Sequence, residues 1–185
     1  MQRMSPVHRP AHRPRRARSL VYPLRIRDGK PTRLDVMLLA MLFCTWNGYI
    51  QGRTLCQLAD KSGESLLSPC FALGVVLFVG GWAVNYHSDG VLRRLRQSRA
   101  GGDASRPRYG VPCGGMFRYV SCANYFGEIA EWAGYALAAR TLAGTAFALA
   151  TAANLIPRAL AHHAWYRSHL PGYPPGRRAV IPFLL

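Results

Sequence analysis

The 185-residue sequence has few acidic groups to offset its arginines. It contains 8 acidic residues against 24 basic ones, 22 of them arginine, and its formal net charge is +16. This excess allows two interpretations, a nucleic-acid-binding protein or a membrane protein with basic loops. The basic residues are bunched in residues 3–33, 93–108 and 158–178, and long apolar runs lie between them. Because the charges are segregated in this way, the sequence indicates an integral membrane protein.

Other absences exclude further classes of protein. The five cysteines form no CxxC pair and have no ligand-like spacing with histidine, so we predict free thiols, with neither a zinc site nor a disulfide framework. The sequence has no P-loop and no G-x-G-x-x-G after a strand. The first 20 residues contain no tryptophan, tyrosine or phenylalanine on which bases could stack, and no apolar core of a secretory signal. We predict that residues 1–18 form a disordered basic leader and that nucleic acid is not a partner.

Four apolar segments occupy residues 34–50, 68–85, 119–139 and 142–160. Each approaches the roughly 20 residues that a helix needs to cross a bilayer, and none alternates as barrel strands do. We therefore predict an all-α, polytopic membrane bundle with about four transmembrane helices. The basic leader, the 93–108 loop and the basic tail would lie on the cytosolic side. The glycines of the second segment suit close helix packing, and Gly114–Gly115 predict a tight turn before the third.

Each segment carries polar residues three or four positions apart, which places them on one helical face. These stripes are Asn47 and Gln51; Asn85, Asp89, Arg93 and Arg96; Asn124, Glu128, Glu131 and Tyr135; and Asn154, Arg158, His162 and Tyr166. Polar groups persist in a bilayer when they face a wet cavity or pair with one another. Four stripes meeting in one cavity would suit a nucleotide cofactor. The alternative is that the stripes join helices or mark solvated helix ends, and Glu131 stays open between the two interpretations.

Six stretches resemble, in order, the C-terminal portion of the steroid 5α-reductases (3-oxo-5α-steroid 4-dehydrogenases). They are "VYPLRIRDGKP", "FCTWNGYIQGR", "NYHSDGVLRRLR", "YGVPCGGMFRYVSCANYFGEIAEWAGYALA", "RALAHHAWYRSHLPGYP" and "RRAVIPFLL", and they cover residues 19–185. The NG-x-x-Q pattern at 47–51 is more similar to the steroid-reducing branch than to the enoyl-CoA or polyprenol reductase branches.

The resemblance implies a seven-helix membrane fold that binds NADPH among its C-terminal helices and reduces the Δ4 double bond of a 3-oxo-steroid. It implies an enzyme of lipid metabolism, in the endoplasmic reticulum of a eukaryote or the inner membrane of a bacterium. It assigns the cofactor pocket to nine residues: Asn85, Asp89, Arg96, Tyr109, Asn124, Glu128, Arg158, His162 and Tyr166.

The sequence departs from the family at its start. The family's first helices, with a tyrosine and a glutamate that hold the steroid 3-oxo group, have no match, so no catalytic residue is assigned. Where the family has His-Tyr-x-His-Arg, this sequence has "PRRAR" at 14–18. We expect residues 1–18 to be foreign to the family, and we expect poor steroid reduction with weak NADPH binding. The alternatives are an enoyl-CoA or polyprenol reductase, an isoprenylcysteine-type methyltransferase and an inactive membrane pseudoenzyme.

Overall fold

The computed structural model describes residues 33–57, 68–99 and 110–185. These residues form four helices, α1 (Leu34–Gln57), α2 (Pro69–Arg99), α3 (Ala123–Ala139) and α4 (Leu142–His169), with a 3₁₀ turn at Gly115–Arg118 before α3. The predicted all-α class is therefore confirmed. The predicted basic leader and Tyr109 lie outside the described residues.

Three helices run further than the apolar segments that predicted them. α1, α2 and α4 end at Gln57, Arg99 and His169 rather than near 50, 85 and 160. Their polar stripes thus lie on continuous helices, so the spacing of three and four residues places them on shared faces.

The third helix begins later than predicted, at Ala123 rather than 119. The residues before it pair with the C-terminal segment instead of winding into the helix. The Ser121 amide donates to the Arg178 carbonyl at 2.8 Å, and the Cys122 amide donates to the Ala179 carbonyl at 3.0 Å. Because these amides bond across to another segment, the helix starts only after them.

Helices α2 and α3 pack backbone to backbone along a line of glycines. Gly74 and Gly81 of α2 face Gly134 and Gly127 of α3, so the two helices are antiparallel. A Cβ atom on Gly127 would lie 2.5 Å from the Asn85 nitrogen and 2.7 Å from the Gly81 carbonyl oxygen. The glycines recur every seven residues on each helix, which keeps them on one seam. This contact confirms the close packing predicted for the second segment at Gly74 and Gly81, whereas a Cβ on Gly80 would meet nothing within 4 Å.

A tight connection turns the chain from α3 back along itself into α4. Arg140 ends α3 in a left-handed conformation with φ of 50°. Thr141 is the N-cap of α4, and its hydroxyl oxygen accepts a hydrogen bond from the Gly144 amide at 3.1 Å. The buried cluster of Cys122, Ala159, Ala179 and Val180 then packs the C-terminal segment on the start of α3 and the second half of α4. The N-terminal half of α3 therefore lies beside the C-terminal halves of both α2 and α4.

In the described ranges, one helix is long and apolar enough to cross a membrane, over Pro69–Arg96 of α2. The other three predicted spans stay predictions. The chain separates into two compact units, Met1–Cys44 and Thr45–Leu185. The described part of the first unit is the beginning of α1, where Arg33 and Asp35 form an exposed ion pair at 2.8 Å. The remaining helices belong to the second unit.

Candidate cofactor site

Eight of the nine predicted pocket residues lie in the described part of the chain, and the fold gathers them at one end. They come from the C-terminal half of α2, the N-terminal half of α3 and the C-terminal half of α4. By helix they are Asn85, Asp89 and Arg96; Asn124 and Glu128; and Arg158, His162 and Tyr166. The alternation of helix direction therefore brings together residues that are up to 81 positions apart, from 85 to 166, in the sequence.

The contact of Gly74 and Gly81 with Gly134 and Gly127, called here the glycine seam, determines which polar residues of α2 and α3 are neighbours. The backbone of Asn85 lies directly against Gly127, and the residue as a whole is 8% exposed. Asn124 and Glu128 are on the turns that flank Gly127. Because the helices are antiparallel, the next turn of α2, at Asp89, lies toward Asn124 rather than away from it. The stripes of α2 and α3 thus run alongside each other.

Aromatic contacts join the residues of α3 to those of α4. The rings of Tyr125 and His162 have centroids 6.1 Å apart, and His162 stacks on Tyr166 with centroids 6.4 Å apart. Tyr125 is therefore a link between the two predicted stripes, although it was not among the predicted pocket residues.

Tyr166 of α4 is also close to a charged residue of α2. Burial raises the pKa of the Tyr166 phenol to about 12, and the nearby guanidinium of Arg96 partly opposes that rise. A tyrosine phenol is protonated at neutral pH, so Tyr166 can donate a hydrogen bond. Arg96, near the end of α2, is thus close enough to Tyr166 of α4 for its charge to act on that phenol.

The polar pair of α1 meets a different part of α3. The Tyr135 hydroxyl donates to the Gln51 side-chain oxygen at 3.1 Å, and the Gln51 amide donates to the Ala143 carbonyl at 3.0 Å. Tyr135 is roughly 16 Å along the helix axis from Asn124, at 1.5 Å per residue. The expectation that all four stripes meet in one cavity is therefore corrected, since the α1 stripe ties helices together at the other end.

A sequence profile described as "3-oxo-5-alpha-steroid 4-dehydrogenase" matches residues 30–185, which include all four helices and all nine predicted pocket residues. The chain belongs to the 3-oxo-5-alpha-steroid 4-dehydrogenase family. The resemblance inferred from the six sequence stretches is thereby confirmed at the level of the family.

Several relatives of this family share the matched region. "3-oxo-5-alpha-steroid 4-dehydrogenase 1" of Rattus norvegicus is 48% identical over 168 residues, which are 91% of this chain and 62% of the rat protein. "3-oxo-5-alpha-steroid 4-dehydrogenase 2" of Homo sapiens is 42% identical over 90% of this chain and 63% of its own length. "Steroid 5-alpha-reductase DET2" of Solanum lycopersicum is 40% identical over 90% and 64%. The chain thus spans less than two thirds of the length of these relatives.

One polar cluster in this member of the family was not predicted. Ser121 is 2% exposed, and its hydroxyl lies 2.5 Å from Nδ1 of His163 and 2.6 Å from the Tyr173 hydroxyl. Burial, together with the positive charges of Arg167 and Arg178, lowers the pKa of His163 from its usual 6.5, so the neutral ring is favoured. No helical spacing connects these residues, so the stripe argument could not find them.

Proposed function

We propose that this chain binds NADPH and belongs to an enzyme that reduces the Δ4 double bond of 3-oxo-steroids. The observation that carries the proposal is the graded burial of the site. The buried Asn85 and the half-buried Asp89, Asn124 and Glu128 lie inward, whereas the cationic Arg96, Arg158 and the nearby His162 are exposed. This order suits an elongated ligand with a hydrogen-bonding end inside and anionic phosphates near the rim.

The donors and acceptors fit the groups of a nicotinamide dinucleotide. The guanidinium groups of Arg96 and Arg158 can bind phosphates through charge-assisted hydrogen bonds. The amide of Asn124 can both donate and accept, which is what a carboxamide requires, and the carboxylates of Asp89 and Glu128 can accept from ribose hydroxyls or from the carboxamide nitrogen.

The residues of this chain would hold and orient the cofactor, whereas the cofactor supplies the hydride that a steroid enone accepts at its β-carbon. The phenol of Tyr166, which is protonated at neutral pH, would donate to an acceptor on the ligand. The exposed cations would neutralise the phosphates and fix the direction in which the ligand enters.

We also propose that the chain is a multi-pass membrane protein, in the endoplasmic reticulum of a eukaryote or the inner membrane of a bacterium. The apolar side chains of α1, among them Leu34, Leu39 and Leu42, are exposed in the described structure, as expected for a lipid-facing helix. A hydrophobic steroid dissolved in the bilayer could then reach the protein without leaving the lipid.

The proposal is tested by ligand binding to the chain in lipid nanodiscs. We expect saturable binding of NADPH and much weaker binding of NADH and S-adenosylmethionine. Incubation with NADPH and either a Δ4-3-ketosteroid or a trans-2-enoyl-CoA, followed by mass spectrometry, identifies which product gains two hydrogens. Absence of NADPH binding would refute the proposal, and reduction of the enoyl-CoA alone would reassign the substrate.

A further inference from the structure

A hydrogen-bonded cluster fixes Tyr173 beside the candidate site. The Ser121 hydroxyl contacts the Tyr173 hydroxyl at 2.6 Å, Nδ1 of His163 at 2.5 Å and the Arg178 carbonyl at 3.1 Å. Tyr173 itself follows the end of α4, whereas Ser121 precedes α3 and His163 is on α4. The cluster therefore fastens the C-terminal segment to α4 and to the residues just before α3, two of the three helices that carry the site.

The protons available to the cluster limit how it can be arranged. The Ser121 hydroxyl has a single proton, and the Arg178 carbonyl can only accept. When Ser121 donates to that carbonyl, both Tyr173 and Nδ1 of His163 must donate to Ser121. In that arrangement every contact of the serine hydroxyl is a hydrogen bond, and Nδ1 of His163 carries a proton. Tyr173 is then a donor whose ring is fixed at its polar end.

The ring of Tyr173 makes contacts on more than one side. It stacks on Tyr166 with centroids 5.7 Å apart and an interplanar angle of 29°, and the Arg177 guanidinium carbon lies 5.3 Å from its centroid. Arg177 is 7% exposed and donates to the Pro112 carbonyl at 3.0 Å. The loop that follows Tyr109 and the ring of Tyr166 are therefore joined through Tyr173.

We propose that Tyr173, fixed by Ser121 and His163, is a positioning residue for the cofactor site and acts through the ring of Tyr166. Tyr173 has no place among the nine predicted pocket residues, and its hydroxyl is directed at Ser121, away from a ligand role. A Tyr166 ring without this support could turn about its side-chain bonds, so its hydroxyl would no longer be held in one direction. The proposal rests on the proposed NADPH site.

The test measures NADPH dissociation constants for the full chain in nanodiscs. Tyr173→Phe keeps the stacked ring and removes the bond to Ser121, and we expect it to weaken binding about 2- to 10-fold, the range of one lost hydrogen bond. Tyr173→Leu also removes the stacking and should weaken binding further, by roughly another 2- to 10-fold. Tyr119→Leu is the matched control. In the described part of the chain the Tyr119 ring pairs with the exposed ring of Phe183, which is outside the cluster of Ser121, His163 and Tyr173.

A double-mutant cycle separates positioning from general destabilisation. In a Tyr166→Ala background, Tyr173→Leu should change the NADPH dissociation constant less than about 1.5-fold, because the ring through which Tyr173 acts is gone. An undiminished effect in that background would overturn the proposal, as would wild-type affinity in Tyr173→Leu. If the leucine variant does not fold, the NADPH dissociation constant of Tyr173→Phe, with its fold checked by circular dichroism, is the test, and wild-type affinity in that variant would overturn the proposal. If the unaltered chain does not bind NADPH, the proposed function fails and this inference with it, whereas binding without a Tyr173 effect refutes the inference alone.

Discussion

The backbone contact between α2 and α3 makes a sharp prediction for Gly127→Ala. The added Cβ would lie 2.5 Å from the Asn85 nitrogen, 2.7 Å from the Gly81 oxygen and 2.9 Å from the Asn85 Cα. Carbon atoms pack best at about 3.5–4.0 Å, so the helices would have to separate by several tenths of an ångström or more. The obstructing atoms belong to the backbone and cannot move aside by a change of rotamer.

The magnitude follows from two opposing effects. Overpacking costs about 1–3 kcal/mol, and contact with the backbone places Gly127→Ala near the upper limit. Replacing glycine by alanine inside a helix returns up to about 1 kcal/mol. We therefore expect the free energy of unfolding to fall by about 2 kcal/mol. Because Asn85 is the residue displaced, NADPH binding should weaken in the same variant.

The matched control is Gly80→Ala, one residue from the seam glycine Gly81. A Cβ on Gly80 would meet nothing within 4 Å, so this variant should be neutral or more stable by up to about 1 kcal/mol. Unfolding of both variants in detergent, followed by circular dichroism, gives the comparison. Equal stability of Gly127→Ala and Gly80→Ala would refute the close backbone contact between α2 and α3 at Gly127.

Three further predictions concern groups outside that seam. Because the folded-state pKa of His163 is below 6.5, the unfolded chain binds the proton first, and stability should fall as the pH drops below 6.5. His163→Gln should lose part of that dependence in thermal unfolding, and an unchanged profile would contradict the shift. Tyr135→Phe removes the bond to Gln51 and should lower the free energy of unfolding by about 0.5–1.5 kcal/mol without changing NADPH affinity, which the same two assays check. The Tyr166 phenol should ionise only near pH 12, so ultraviolet difference spectra of wild type and Tyr166→Phe should be equal at pH 10.

The sequence was sufficient for the class of fold and for most of the site's helical geometry. Apolar runs revealed the helices, and the spacing of Asn85, Asp89 and Arg96 holds because α2 is continuous through Arg99. The helix ends were less predictable. Helical turns rich in polar residues, such as those beyond residue 85, have the composition of loops. The late start of α3 depends on hydrogen bonds with residues 178–179, which are distant in sequence.

Tertiary contacts decided what helical spacing could not. Gln51 and Tyr135 share the stripe pattern, but the level at which α1 meets α3 depends on packing, so their place at the other end of α3 could not be predicted. The cluster of Ser121, His163 and Tyr173 joins three segments with no common period. Tyr109 lies outside the described residues, so its predicted role stays a prediction.

The central claim, that the eight described pocket residues of α2, α3 and α4 form an NADPH site, is tested most directly by equilibrium NADPH binding to Asn124→Ala. Asn154→Ala is the matched control, because Asn154 is an exposed asparagine of α4 outside the nine predicted positions. We expect the dissociation constant of Asn124→Ala to rise about tenfold, as for a lost hydrogen bond in a buried site, and that of Asn154→Ala to stay at the wild-type value. Equal affinities of Asn124→Ala and wild type would contradict the account.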